Sequence, residues 1–286
     1  MNTMRRLIAA GIAATVGWKG AWGQKPEERP PSGKATAPTP EPPSSVQPRH
    51  VLCFLGKSSN LAPLKAAVAG AVRDFATGFS ADEDYSLSEP DGRMQRSFEV
   101  NRDRVVPNAW TAADEKAVAS HRSVLYVLGP PMDRKDTVKV SMAALQLVGR
   151  VLDAGAVAAK GESAGVAHGI DRWRELVRQG AQAQQSGDLL AQQRVGRLAF
   201  ARRPISDKGY LQSVGFHLVG LPEVYAPQSL GSELQVVALM DAVADEMAQH
   251  GLAQVLQQRR AAHTLASTYE EDDFKFNPYG IVRLPR

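Results

Sequence analysis

Residues 196–219, "GRLAFARRPISDKGYLQSVGFHLV", decide the fold class. Residues 196–204 and 210–219 read as two strands, joined through the turn-forming segment 206–209 into a hairpin. A hairpin this late in the chain ends the alternation of strands and helices that precedes it. The expected architecture is therefore α+β: a mixed β-sheet with helices packed on it.

Working back from this hairpin, residues 180–195 are rich in Gln and Ala around Ser186-Gly187-Asp188 and predict an exposed insertion. Before it, residues 165–179 predict a helix and 156–159 a short strand. Residues 137–153 predict an amphipathic helix, with Val138, Ser141, Leu145, Val148 and Leu152 on one face. The run "VLYVL" at 124–128 predicts a buried strand closed by Gly129-Pro130-Pro131. Thr111 caps a helix reaching about His121, with Asp114 placed to answer it in a capping box. Residues 96–100 predict a strand and the acidic segment 80–92 a loop. Asp82, Glu83 and Asp84 lack the alternating spacing and central Gly of a calcium loop. A strand at 51–56 and a helix over 61–77 (Leu61, Leu64, Val68, Val72, Phe75) open the domain. Past the hairpin, residues 231–250 predict a helix whose Val236, Met240, Val243 and Met247 face inward, followed by an irregular tail.

The N-terminus has a different character. "MNTMRR" is a positive n-region, residues 7–18 form an apolar stretch of 12, and Ala21 and Gly23 supply small residues at a cleavage site. Twelve apolar residues are too few to span a bilayer, so residues 1–23 predict a signal peptide cleaved after Gly23 and no transmembrane span thereafter. Residues 24–48 carry eight prolines and no aliphatic run, the composition of a disordered tether. Residues 49–286 then form a single domain, placed by this leader in the periplasm or outside the cell.

Charge and composition narrow the partners. Six basic residues against three glutamates give residues 1–48 a net charge of +3, which leaves the domain only +1 of the chain's +4. Nucleic-acid binding needs a concentrated basic face, so nucleic acid is excluded as an expected partner. Cys53 is the single cysteine and lies in an apolar run, which removes an intrachain disulfide and predicts a buried thiol. The six histidines show no ligand spacing, so neither a metal nor another cofactor is expected. "GKSSN" at 56–60 lacks the earlier glycine of a phosphate loop and reads as a strand end and helix cap.

One motif carries possible chemistry. "GESAG" at 161–165 stands between a predicted strand and a predicted helix, the place of a nucleophile elbow. In that reading Ser163 is the nucleophile. Glu223 or Asp241 would be the acid and His250 or His263 the base, with Glu223 and His250 the first choice. The pattern is short, and Gly129 precedes two prolines that have no N–H to offer an oxyanion. Binding candidates are His168 and Asp171, one helical turn apart, and His217, which alternates with Phe216 and Leu218 in an expected strand and so should face away from the core they help form. Glu223 reads either as an exposed carboxylate or as a polar anchor for the turn at Gly220-Leu221-Pro222.

Residues 209–251, through Gly215, Gly220, Pro222, Glu223 and Gly251, resemble a bacterial domain-of-unknown-function family, the one numbered 4261. The resemblance implies an intracellular, non-catalytic α+β protein and names no mechanism; the expected signal peptide departs from that location. Taken together, these features predict an exported binding or interaction module with a protein or envelope partner, with a serine hydrolase using Ser163 as the alternative.

Overall fold

The computed structural model describes residues 47–107, 109–265 and 277–286. The expected signal peptide and residues 24–46 of the tether lie outside the described residues.

The fold is α+β. Strand β1 (Val51–Gly56) is its centre, buried along almost its whole length. Its side chains alternate between two apolar clusters: Leu52 and Phe54 enter one, Cys53 and Leu55 the other. A strand covered on both faces must be apolar throughout, which is why "VLCFLG" reads as an unbroken hydrophobic run. Helix α1 (Ala62–Asp74) leads to β2 (Ser80–Leu87). Helices α2 (Met94–Asn101) and α3 (Ala112–Ala119) precede β3 (Ser123–Leu128), and α4 (Thr137–Asp153) leads to β4 (Ala156–Gly161) and β5 (Val166–His168).

The sheet order is β2-β3-β1-β4-β5, with every neighbouring pair antiparallel. Each of the units β1–α1–β2 and β3–α4–β4 straddles a strand of the other, the split βαβ arrangement. Leu64 and Val68 of α1 pack with Leu145, Val148 and Leu152 of α4 in the cluster on one face. Met94 and Phe98 of α2 and Val118 of α3 belong to the cluster on the other.

Helices α5 (Ile170–Gln185) and α6 (Leu189–Phe200) follow, and then β6 (Arg202–Asp207) and β7 (Tyr210–Val214) begin a second sheet. Strand β8 (Glu223–Pro227), helices α7 (Glu233–His250) and α8 (Leu252–Arg259), and strands β9 (Ala262–Thr264) and β10 (Ile281–Arg283) complete the chain. The order is β6-β7-β8-β10-β9, and β8 with β10 is the parallel pair that makes this sheet mixed. Val236, Met240, Val243 and Met247 of α7 bury as expected, in one cluster with Val224, Ala226 and Val282 of the strands. Among the described residues no helix is long and apolar enough to cross a membrane.

Several local expectations are corrected. The acidic segment expected as a loop holds β2, an edge strand on which Glu83 and Asp84 are exposed and Asp82 is buried, its carboxylate accepting the N–H groups of Asp84 and Tyr85. Residues 96–100 belong to helix α2, because Met94, Ser97, Phe98 and Asn101 bury at helical spacing. The Gln/Ala-rich stretch is helical as well: Ser186 ends α5, Gly187 turns at φ +68°, and the Asp188 side chain caps α6 by accepting from Ala191 N. The first hairpin strand runs over 202–207, since α6 persists to Phe200. Its turn at Lys208-Gly209 has both φ values positive, +45° and +82°, as a primed hairpin turn requires. After Val214 the chain enters a 3-10 turn, Phe216–Val219, in place of a continuing strand.

Candidate functional site

The GESAG segment is a strand-to-strand turn. It pairs β4 with β5, Gly161 opposite Val166, with Gly165 at φ +67°, and the next helix begins only at Ile170. An elbow needs its helix directly behind the nucleophile, so the expected helix start at 165 and the elbow context are both corrected. Ser163 Oγ accepts from Val51 N at 2.8 Å and donates its proton to Arg49 O at 2.8 Å. A hydroxyl whose proton rests on a backbone carbonyl is tying the segment before β1 to the turn. The other members of the expected triad lie elsewhere. His250 is exposed at the end of α7, and Glu223 is buried on β8. Asp241 pairs with Arg203, and His263 Nε2 lies 2.9 Å from Tyr279 O.

Glu223 is the anchor of its turn. Only 1% exposed, its Oε1 accepts from Gly215 N and Phe216 N, each at 2.9 Å, and from Asn277 Nδ2 at 3.0 Å. Oε2 accepts from the Ser213 hydroxyl at 2.6 Å, and Ser213 Oγ in turn accepts from Val224 N. Gly215 sits at φ +109°, where a Cβ would lie 2.7 Å from Ala164 Cβ and 2.9 Å from Phe200 O. Glycine is therefore required there on both conformational and packing grounds. His217 faces inward on the 3-10 turn, its Nδ1 3.3 Å from Glu223 Oε1, so the expectation that it points away from the core is corrected.

His168 and Asp171 do not meet. Asp171 is exposed in the first turn of α5, whereas His168 is 2% exposed, its ring edge-on to Trp173. Its Nε2 lies 3.1 Å from Ala199 O. The carboxylate facing its Nδ1 is Asp103, at 3.4 Å and out of line for a hydrogen bond. Burial alone would raise the Asp103 pKa. His168, the Val105 N–H and the charge of Arg203 outweigh that burial and hold it below its ordinary value.

Asp103 opens onto the arginine-lined cleft that is the candidate site. The cleft, of about 90 Å³, has three walls: the segment after α2 (Arg102, Asp103, Arg104), the start of β5, and the start of β6 (Arg202, Arg203). Glu233, at the start of α7, also lines it. The walls are held together locally: Arg102 forms a parallel bridge with Ala167 of β5, and Asp103 N donates to Ala167 O at 2.9 Å.

The four arginines are unequally occupied. Arg102 pairs with Glu115 at 3.0 Å. Arg203 Nη2 donates to Asp241 at 3.1 Å, while its Nε, 2.9 Å from the same carboxylate, is off the line of a hydrogen bond. Arg202 donates to Asn101 Oδ1 and Val100 O, both neutral, and burial, then the charge of Arg104, lower its pKa. Arg104 is exposed and, among the described residues, has no ion-pair partner; neither has Glu233. Two guanidinium groups that repel each other in a partly buried cleft are a place where a bound anion would be stabilised.

A second buried charge centre lies beneath α2. Lys160 of β4 has a fully buried side chain, its Nζ 2.7 Å from Glu162 Oε1, bonded to Ser97 Oγ and 5.2 Å from the centre of the Phe98 ring. Tyr126 donates to the same Glu162 oxygen at 3.4 Å. Cys53 shares this face, and burial pushes its thiol up to about 12, so it is protonated and inert at neutral pH. Lys160 and Glu162 neutralise each other here and Lys160 is fully buried, which points to a structural role. Sequence reading missed it, although Lys160 and Glu162, two apart beside an alternating strand, share a face.

Among the described residues no group of three or more His, Cys, Asp or Glu side chains is placed to hold a metal ion. No family model, curated protein or solved structure matches the chain, so the likeness of residues 209–251 rests on their own pattern.

Proposed function

We propose that the domain is a non-catalytic binding module of an exported chain, and that the arginine-lined cleft is where it takes its ligand. The observation that carries this is Arg202: among the described residues it is a partly buried guanidinium satisfied only by neutral acceptors, lining the same cleft as Arg104, which has no ion-pair partner there. Such an arrangement has donors to spare, and its lining residues include no hydroxyl, thiol or imidazole to serve as a nucleophile. The signal-like residues 1–23 and the proline-rich tether fit a periplasmic or secreted module held away from its surroundings, and the likeness of residues 209–251 supports only the non-catalytic part of the reading. Sequencing the mature N-terminus should find Gln24 first.

Two measurements on the full chain test the reading. Fluorophosphonate labelling should be absent in the wild type as in Ser163→Ala. A thermal-shift panel of anionic, cationic and neutral small molecules should contain one that stabilises the wild type and not Arg104→Ala. Serine-specific labelling, or turnover of a panel compound, would overturn the proposal.

A further inference from the structure

We infer that the cleft recognises an oxyanion, a carboxylate or phosphate group of its ligand, gripped between Arg202 and Arg104. The inference rests on the binding-module reading and names the ligand chemistry of that same cleft. Each charge around it can be assigned. Arg102 is committed to Glu115, and Arg203 to Asp241. Asp103 accepts from Val105 N at 3.0 Å and faces His168. Arg104 and Arg202 remain against the carboxylates of Asp103 and Glu233, so the charges balance and the anion site rests on the unspent donors of the two arginines.

Arg202 uses two of its five N–H donors on Val100 O and Asn101 Oδ1. Those two bonds fix the plane of the guanidinium, so little side-chain entropy is left to lose when a ligand binds. An oxyanion between Arg202 and Arg104 would relieve their mutual repulsion while gaining charge-assisted hydrogen bonds. A cleft of about 90 Å³ has room for one such group or for several waters, and the remainder of a larger ligand would stay outside. Glu233 opposes the anion together with Asp103, the other carboxylate lining the cleft. Having no ion-pair partner among the described residues, Glu233 limits affinity and disfavours a high charge on the ligand, which gives it the role of a selectivity residue.

The test is titration calorimetry of inorganic phosphate and of succinate into the full chain at constant ionic strength, with the fold of each variant checked by circular dichroism. At least one anion should bind the wild type, about tenfold weaker in Arg104→Ala and severalfold tighter in Glu233→Gln. The stronger arm identifies the source, a phosphorylated or a carboxylate ligand. Because Arg202 also supports the backbone at Val100, Arg202→Lys is the companion variant, keeping the charge and losing the planar fork. No binding of either anion to folded wild type would overturn the inference, as would equal affinity in wild type and Arg104→Ala. If a neutral or cationic compound is instead bound through Arg104, the oxyanion assignment fails while the binding-module reading stands. A compound that is consumed would remove both.

Discussion

The Glu223 centre and the arginine cleft are both gatherings of charge at the margin of the second sheet, and they differ in how far the charge is satisfied. Glu223 is sealed. Two backbone N–H groups, a serine hydroxyl and an asparagine amide converge on it, with the His217 ring beside them. In the cleft, among the described residues, Arg104 reaches no carboxylate and Arg202 reaches only neutral oxygens. A carboxylate with its acceptor capacity filled from within the chain can only hold the fold, because nothing is left to offer a ligand. A guanidinium with unspent donors and access to solvent contributes less to the fold and retains what recognition needs. Degree of satisfaction, more than residue type, separates structural charge from functional charge here.

The largest expected effect comes from breaking the sealed centre. Glu223→Ala strands the N–H groups of Gly215 and Phe216 and the side chains of Ser213 and Asn277 in a buried site. The cost should be about 3–5 kcal/mol, read as a lowered urea midpoint. Glu223→Gln keeps one oxygen acceptor and should cost less. An Ala variant within about 1 kcal/mol of wild type would abolish the contrast.

Protons sharpen the same comparison. His50 is buried, its Nε2 2.8 Å from Ser141 Oγ and its ring edge-on to Phe200. Burial first, and then the nearby His217, hold its pKa down to about 3 from 6.5. Between those values the unfolded chain takes up a proton that the folded chain refuses, so stability falls as the pH drops below about 6.5. The slope should approach about 1.4 kcal/mol per pH unit, which integrates to roughly 2 kcal/mol between pH 6.5 and 4.5 because the unfolded histidine is only half protonated at the start. Stability lost when depressed carboxylates such as Asp91 and Asp103 are protonated belongs to lower pH, near and below the ordinary carboxylate range. Urea midpoints from pH 7 to 4.5 should therefore decline in wild type and stay nearly flat in His50→Gln.

What could be read in the sequence was whatever one local rule could settle. Strands β1 and β3 are covered on both faces and appear as apolar runs. Helices α4 and α7 show their inward faces, and the Thr111–Asp114 box marks the start of α3. Elements with divided loyalties were obscure. Strand β2 is an edge whose acidic residues imitate a loop, α2 is too short to show its period, and the Gln/Ala content of α5 and α6 imitates an insertion. The GESAG pattern was visible, but whether a helix or a strand follows it depends on pairing with β4. The cleft was out of reach for a plainer reason. "RDR" at 102–104 and "RR" at 202–203 lie about a hundred residues apart, and only tertiary contacts through β5 bring them together.

The smaller effects concern single bonds at the edges of this contrast. Ser163→Ala removes an acceptor from Val51 N and a donor from Arg49 O, which should cost about 1–2 kcal/mol in a thermal or urea melt. A loss of that size without any change in reactivity is the signature of a structural tie. Arg104→Ala should change stability by no more than about 0.5 kcal/mol, because the side chain is exposed and carries no bond among the described residues. That near-neutrality is informative. Removing a like charge beside Arg202 should even relieve a little repulsion, so a clear destabilisation would mean that Arg104 supports the fold. The cleft would then join Glu223 among the sealed centres, and the distinction between spent and unspent charge would no longer locate a binding site.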